Sequence, residues 1–245
     1  MYRETLDNAG ADLRSYMNQI ANHCPFTKPS QKAGVLYFTD YVVEKQSIKT
    51  VLLLAILHIE ILRRDRVVVP KKKSFLLCDN LVIDYGERLS TEECKKVFDW
   101  VHYICKCIYI PKKLIFGKFW KGEEAQDRHG VQIPAPPVNL FSIRTLLNPN
   151  DIRFLEKSPK LLEEFHKSMD DLGDVFADLS LDASVASIFD SVAEANEKAL
   201  VIESMHVLYQ IGFFEQVLSL VGKIEERQGT SFVQKLRGSE KLLSL

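Results

Sequence analysis

The chain has 245 residues, 46% apolar and 27% charged, with a formal net charge of −1. That length buries a sizeable core without disulfide or metal staples, and the composition is that of a folded chain rather than a disordered one. A charge so near zero provides no global basic field, so neither nucleic acid nor an anionic membrane surface is an expected partner.

Leu6, Ala9, Leu13, Met17, Ile20 and Ala21 recur at helical spacing and predict a helix over 4–22, stopping ahead of Cys24-Pro25 because proline disfavours helical geometry in the residue before it. A Lys-, Pro-, Ser- and Gly-rich loop over 26–34 leads to a strand over 35–43. Ser47 caps a helix to about Arg63 that is apolar around much of its circumference, the mark of a central helix. Short strands are expected at 67–69, 75–78 and 81–84. Ser90 and Glu93 have capping-box spacing for a helix that ends before Pro111, and 114–119 reads as a strand. Residues 131–142 are extended but hold Pro134, Pro136 and Pro137, which suits a sheet edge or a pocket wall better than a central strand. Beyond residue 150 the pattern turns helical: 159–172 with Ser158 as cap, 183–191, 193–212, 213–227 and 230–245. The expected fold is α+β: a central, mostly antiparallel sheet flanked by helices over 1–150, then a C-terminal helical layer over 151–245 packed on it as one compact unit.

No basic region followed by an apolar run opens the chain. The greasiest stretch, 51–62, is short and holds His58 and Glu60. Neither a secretory signal nor membrane insertion is expected. Five cysteines, odd in number and sparsely spaced, point to a reducing, cytoplasmic location.

Cys24, fixed just ahead of a proline, is the first site candidate. Its thiolate could ligate a haem iron or act as a nucleophile; alternatively it is a small core residue at a helix C-terminus, where the dipole opposes thiolate formation. Cys105 and Cys107 point roughly 200° apart on a helix and could not share a metal. His58 and His102 have the apolar neighbours of core histidines. His206 has them too and reads either as core or as an axial metal ligand. His129, in a polar loop, is either surface or a cofactor contact at a pocket mouth. Glu163 with His166 and Glu203 with His206 have the spacing of a di-iron carboxylate bundle, with Glu60 and Glu194 as further ligands, so non-haem iron is the alternative cofactor. The basic run of Arg63, Arg64, Arg66 and Lys71 to Lys73 reads as a phosphate or propionate contact, or as a solvated edge device. Arg144 ends an apolar run with Asp151 and Arg153 just beyond. It is either a fork for a substrate carboxylate or propionate, or half of an Arg144–Asp151 ion pair. Dinucleotide, Walker, serine-hydrolase and zincin motifs do not occur.

His23-Cys24-Pro25-Phe26-Thr27-Lys28-Pro29, then Gly117-Lys118-Phe119, Ile133-Pro134, Phe141-Ser142-Ile143-Arg144 and Asp151-Ile152-Arg153-Phe154-Leu155 resemble, in this order, a group of uncharacterised bacterial domains opening with Cys-Pro-Phe. These are more distantly similar to the YqcI/YcgG family, which includes haem-dependent oxygenases that hydroxylate guanidine nitrogens in natural-product biosynthesis. The resemblance implies a cytoplasmic haem monooxygenase or related oxidoreductase acting on a small amine- or guanidine-bearing metabolite. Cys24 or His206 would serve as metal ligand, Cys24, His129, His206 and Arg153 as cofactor contacts, and Arg144 and Asp151 as catalytic groups. The competing expectation is a non-catalytic binding protein, homodimeric through its C-terminal helices, with Met205, Leu208, Phe213 and Phe214 either lining that face or forming intramolecular core.

Overall fold

The computed structural model describes residues 3–45, 47–127, 129–147, 151–152, 155, 159–167, 175–176, 179, 183–195, 197–239 and 243. Strand β1 (Glu4–Thr5), helices α1 (Ala11–Ile20) and α2 (Thr27–Lys32) and strand β2 (Leu36–Val42) come first. Helices α3 (Ser47–Val68) and α4 (Lys71–Ser74), strand β3 (Cys78–Asp84), helix α5 (Thr91–Tyr109) and strand β4 (Leu114–Phe119) follow. A small hairpin of β5 (Ala125–Gln126) and β6 (Gln132–Ile133) precedes β7 (Asn139–Thr145). Then come α6 (Pro159–Lys167), α7 (Ala183–Ala195), α8 (Lys198–Gln210), α9 (Phe213–Gln228) and α10 (Phe232–Arg237).

The main sheet runs β1-β2-β3-β7-β4. Only β2 with β3 is parallel; β1 with β2, β3 with β7 and β7 with β4 are antiparallel. The chain is therefore the expected α+β fold, a mostly antiparallel sheet flanked by helices and followed by a helical layer.

Several local expectations are corrected. The loop expected over 26–34 holds α2, and in place of separate strands at 75–78 and 81–84 there is one, β3, beginning at Cys78. The first helix begins only at Ala11, because 4–5 add a short strand beside β2 and Leu6 and Ala9 pack from the turn after it. The strand expected at 67–69 is instead the end of α3, which runs on until Pro70 removes the helical option for its neighbour. The proline-bearing stretch is not one edge strand. All three prolines lie in the connector between β6 and β7, and β7, which contains none, pairs on both sides.

Side-chain alternation divides the sheet. Tyr37, Tyr41, Leu81, Ile83, Phe141, Ile143, Leu114 and Phe116 join the large core with α3 and α5; Leu36, Phe38, Cys78, Val82 and Leu140 lie on the other face with α1. Helix α3 is buried on every side from Val51 to Arg63, between the sheet and α5, α7, α8 and α9. Its polar residues are satisfied internally. His58 lies between the Tyr41 hydroxyl (2.7 Å from Nε2) and Asp79 (2.8 Å from Nδ1), and Arg3 reaches both Asp79 (3.3 Å) and Asp65 (2.5 Å). Glu60 accepts from Arg63 (2.9 and 3.0 Å) and from the Tyr109 hydroxyl (2.9 Å). Burial alone would push the Asp79 carboxyl up, but the His58 and Arg3 partners hold it below its usual range. At the far end, buried Glu225 accepts from Tyr103 (2.5 Å) and from the backbone N–H groups of Phe232 and Val233, docking α10.

Removing one member of a buried charged cluster leaves the others unpaired. Asp79→Ala is expected to cost about 3–5 kcal/mol in urea unfolding. Tyr41→Phe, which removes one hydroxyl bond, is expected to cost about 1 kcal/mol. Near-equal costs would show that Asp79 does not organise the cluster.

Candidate functional site

The second face of the sheet is only partly covered. Helix α1 packs over β2 and β3, while the 23–30 segment and β6 enclose the remainder, leaving a cavity of about 460 Å³. This is within the ordinary range of small-molecule sites. Its floor is the alternation of three strands: Cys78 and Asn80 from β3, Leu140, Ser142 and Arg144 from β7, Ile115, Gly117 and Phe119 from β4. The register sets Cys78 opposite Arg144, and Asn80 and Gly117 opposite Ser142. Gly117 lets the Phe119 ring lie close over the strand, since a Cβ there would lie 2.8 Å from that ring and displace it.

Cys24, Arg144 and Asp151, three of the sequence candidates, meet here. Arg144 donates to both Asp151 oxygens (2.6 and 2.7 Å) and to the Thr145 carbonyl (3.0 Å), with its Cζ 4.2 Å from the Phe26 ring centre. Asp151 is almost wholly buried and also accepts the Leu147 N–H (2.8 Å). Burial works against the Arg144 charge, and the Asp151 carboxylate more than offsets it, raising the guanidinium further. The ion pair read from the sequence is therefore present, and it is part of the cavity wall.

The other candidates lie elsewhere. His129 is exposed in the β5–β6 turn, and His206 is exposed on α8; neither lines the cavity. Burial was expected for His206 because apolar residues flank it in sequence, but α8 turns Val201, Ser204 and Leu208 inward and leaves 206 outside. Arg153 and Ser158 fall outside the described residues. Glu163, His166, Glu194 and Glu203 are exposed, and Glu60 is held by Arg63 and Tyr109, so these do not converge as a di-iron site. No group of three or more His, Cys, Asp or Glu that could hold a metal occurs among the described residues. Arg63 and Arg64 are taken by Glu60 and Asp190, not by an open anion site. Of the two readings for Leu208, Phe213 and Phe214, the intramolecular core is the one observed, with Met205 packed against it.

Several lining groups were missed. His23 presents Nδ1 to Asp127 at 3.0 Å, while Nε2 has no partner among the described residues. That hydrogen bond is the main cause holding the Asp127 carboxyl down to about 2, helped by the backbone N–H groups of Val131 and His129. His102 reaches the cavity from α5; burial first, then Lys118 and Lys106, lowers it to about 4, so it is neutral at pH 7. Burial pushes the Cys78 thiol up to about 11 despite the Ser142 hydroxyl 3.5 Å away. Asn80 donates to the Tyr37 carbonyl at 2.9 Å. For His23 the signal was adjacency to Cys24; for Cys78, Asn80 and Ser142 it was strand alternation, visible only once the register is known.

The sequence profile of one family matches residues 19–178, nearly two thirds of the chain and all but two of the cavity residues. The chain belongs to that family, described as "Domain of unknown function (DUF6875)". No curated protein and no solved structure matches. In this DUF6875 chain, no described helix is long and apolar enough to cross a membrane.

His102 gives the cavity wall a pH dependence. Its folded-state value lies below the unfolded 6.5, so the unfolded chain binds the proton first. The stability it contributes is complete above pH 6.5 and is lost as pH falls toward 4. Unfolding midpoints between those values are expected to fall less steeply in His102→Gln than in the wild type; parallel curves would contradict this.

Proposed function

We propose that this chain is a haem-dependent oxygenase or related oxidoreductase acting on a small metabolite in the Cys24–Arg144 cavity, and that it works in the cytoplasm. One observation carries the reading. The segments behind the likeness to Cys-Pro-Phe domains and the YqcI/YcgG family are far apart in sequence, yet Cys24 to Phe26, Gly117 with Phe119, Ile133, Ser142 with Arg144, and Asp151 with Leu155 all line one cavity. All five cysteines are free, which agrees with a reducing compartment.

The lining fits haem in its donor chemistry. Cys24 is a partly exposed thiol and His102 a neutral imidazole, the two side-chain types that hold haem iron. Ile20, Leu36, Phe119 and Leu140 supply apolar wall, and Arg144 and Lys106 supply positive charge for propionates. Bound here, haem would supply the activation of oxygen. The protein's part is to orient the substrate against Ser142 and Asn80 and to exclude water with the α1 and Phe119 walls. His23, its Nδ1 fixed on Asp127, takes or returns a proton at Nε2.

The test is an absorbance spectrum from about 300 to 700 nm on protein produced with haem precursor, read with a total-iron assay. A Soret band at near-equal stoichiometry is expected, shifted in Cys24→Ser if the thiol is the ligand and in His102→Ala if the imidazole is. Absence of a Soret band, with no uptake of added hemin, overturns the haem reading.

A further inference from the structure

A guanidinium carries five N–H donors on a planar frame. In Arg144, Nη1 spends both on Asp151 and the Thr145 carbonyl, and Nη2 spends one on the second Asp151 oxygen. The Nε–H and the second Nη2–H remain. They project in parallel from the adjacent edge, and among the described residues neither has a partner. Nε is not among the sealed, unpartnered buried atoms, so it retains accessible surface, and Arg144 is part of the cavity lining. The guanidinium plane is fixed twice over, by Asp151 along its end and by the Phe26 ring against its face.

We propose that this free edge receives a carboxylate, and that the cavity's ligand is a carboxylate-bearing molecule with an apolar body. The two parallel donors match the two oxygens of a carboxylate. The Ser142 hydroxyl lies two residues away on the same strand face. The charge balance agrees. Asp151 is the one acidic group in the described lining, and Arg144 and the Leu147 N–H already occupy it, whereas Lys106 adds a second cation. An amine or guanidinium end has no acidic partner here; a carboxylate has a waiting pair of donors. The carboxylate could belong to a small organic acid or to a haem propionate. The inference rests on the cavity being the functional site, as proposed above.

The full-length protein is titrated by calorimetry with octanoate, octanamide and octylamine, and spectroscopically with hemin and hemin dimethyl ester. Octanoate is expected to bind at least tenfold tighter than octanamide if the source is a small acid, and hemin at least tenfold tighter than its ester if the source is a propionate. Arg144→Lys keeps the charge but loses the fork, and is expected to abolish the preference. Phe26→Leu leaves the Asp151 pair in place and is expected to weaken the preference several-fold, so the idea stays testable if the lysine variant folds poorly. Equal binding of acid and neutral forms in both series, no binding by either acid, or a preference that survives both substitutions overturns the proposal. Ile133→Trp, which fills the cavity from β6, separates the two claims. Loss of acid and amide binding alike keeps the cavity as the site, whatever becomes of the carboxylate. Unchanged binding removes the cavity itself.

Discussion

The Asp79 carboxylate is the constraint around which the two halves of the molecule are arranged. Strand β3 is covered on both faces, and successive residues on a strand point opposite ways, so Asp79 is directed into the helical core and Asn80 toward the cavity. A fully buried carboxylate is tolerable only with charged or strongly donating partners. Those partners come from three places: His58 on the central helix, Arg3 near the N-terminus, and, through His58, Tyr41 on the neighbouring strand. Meeting that one requirement fixes the rotation of α3 against the sheet and holds β1 beside β2. With β3 pinned from behind, its front side chains have fixed positions.

The cavity follows from incomplete coverage of that front face. Helix α1 is ten residues long and brings Leu13, Tyr16, Met17 and Ile20 onto Leu36, Phe38 and Cys78. It leaves the β7–β4 half to a loop, a two-residue strand and the Phe119 ring lying over Gly117. Close packing would ordinarily eliminate such a space. Here its wall includes a charged pair and several hydrogen-bonding side chains, Asn80, Ser142 and His23 among them, that gain nothing from a fully dry core. The surrounding structure bears this polar wall because the opposite face carries the large apolar cluster.

Much of the architecture was legible in the sequence because local signals dominate it. The Ser90–Glu93 capping box is present in both directions, Leu114–Phe119 is a strand to the residue, and the apolar girth of 47–63 correctly announced a central helix. The misreadings were of two kinds. Val67 and Val68 carry β-branched propensity, but a helix already in progress extends cheaply until a proline stops it. His206 sits among apolar neighbours in sequence, yet a helix carries several faces, and the stripe that α8 buries runs through 201, 204 and 208. The site was half legible. Cys24, Arg144 and Asp151 stood out through proline, charge and spacing. His102 and Cys78 did not, because their place in the cavity depends on a strand register and a helix rotation that no local pattern encodes.

The Arg144–Asp151 pair shows why the structural and functional readings of one residue need not compete. A guanidinium has two usable edges beyond its attachment, and a single carboxylate fills only one. Asp151, buried and tied to the Leu147 backbone, takes the end-on edge and so anchors the segment beyond β7 to the sheet. In doing so it removes the rotational freedom that an arginine would otherwise surrender on meeting a ligand. The Phe26 ring then holds the plane, linking the Cys24–Phe26 segment to the same group. The interaction that stabilises the junction is thus the one that preorganises the remaining donors, whose direction is set before any ligand arrives.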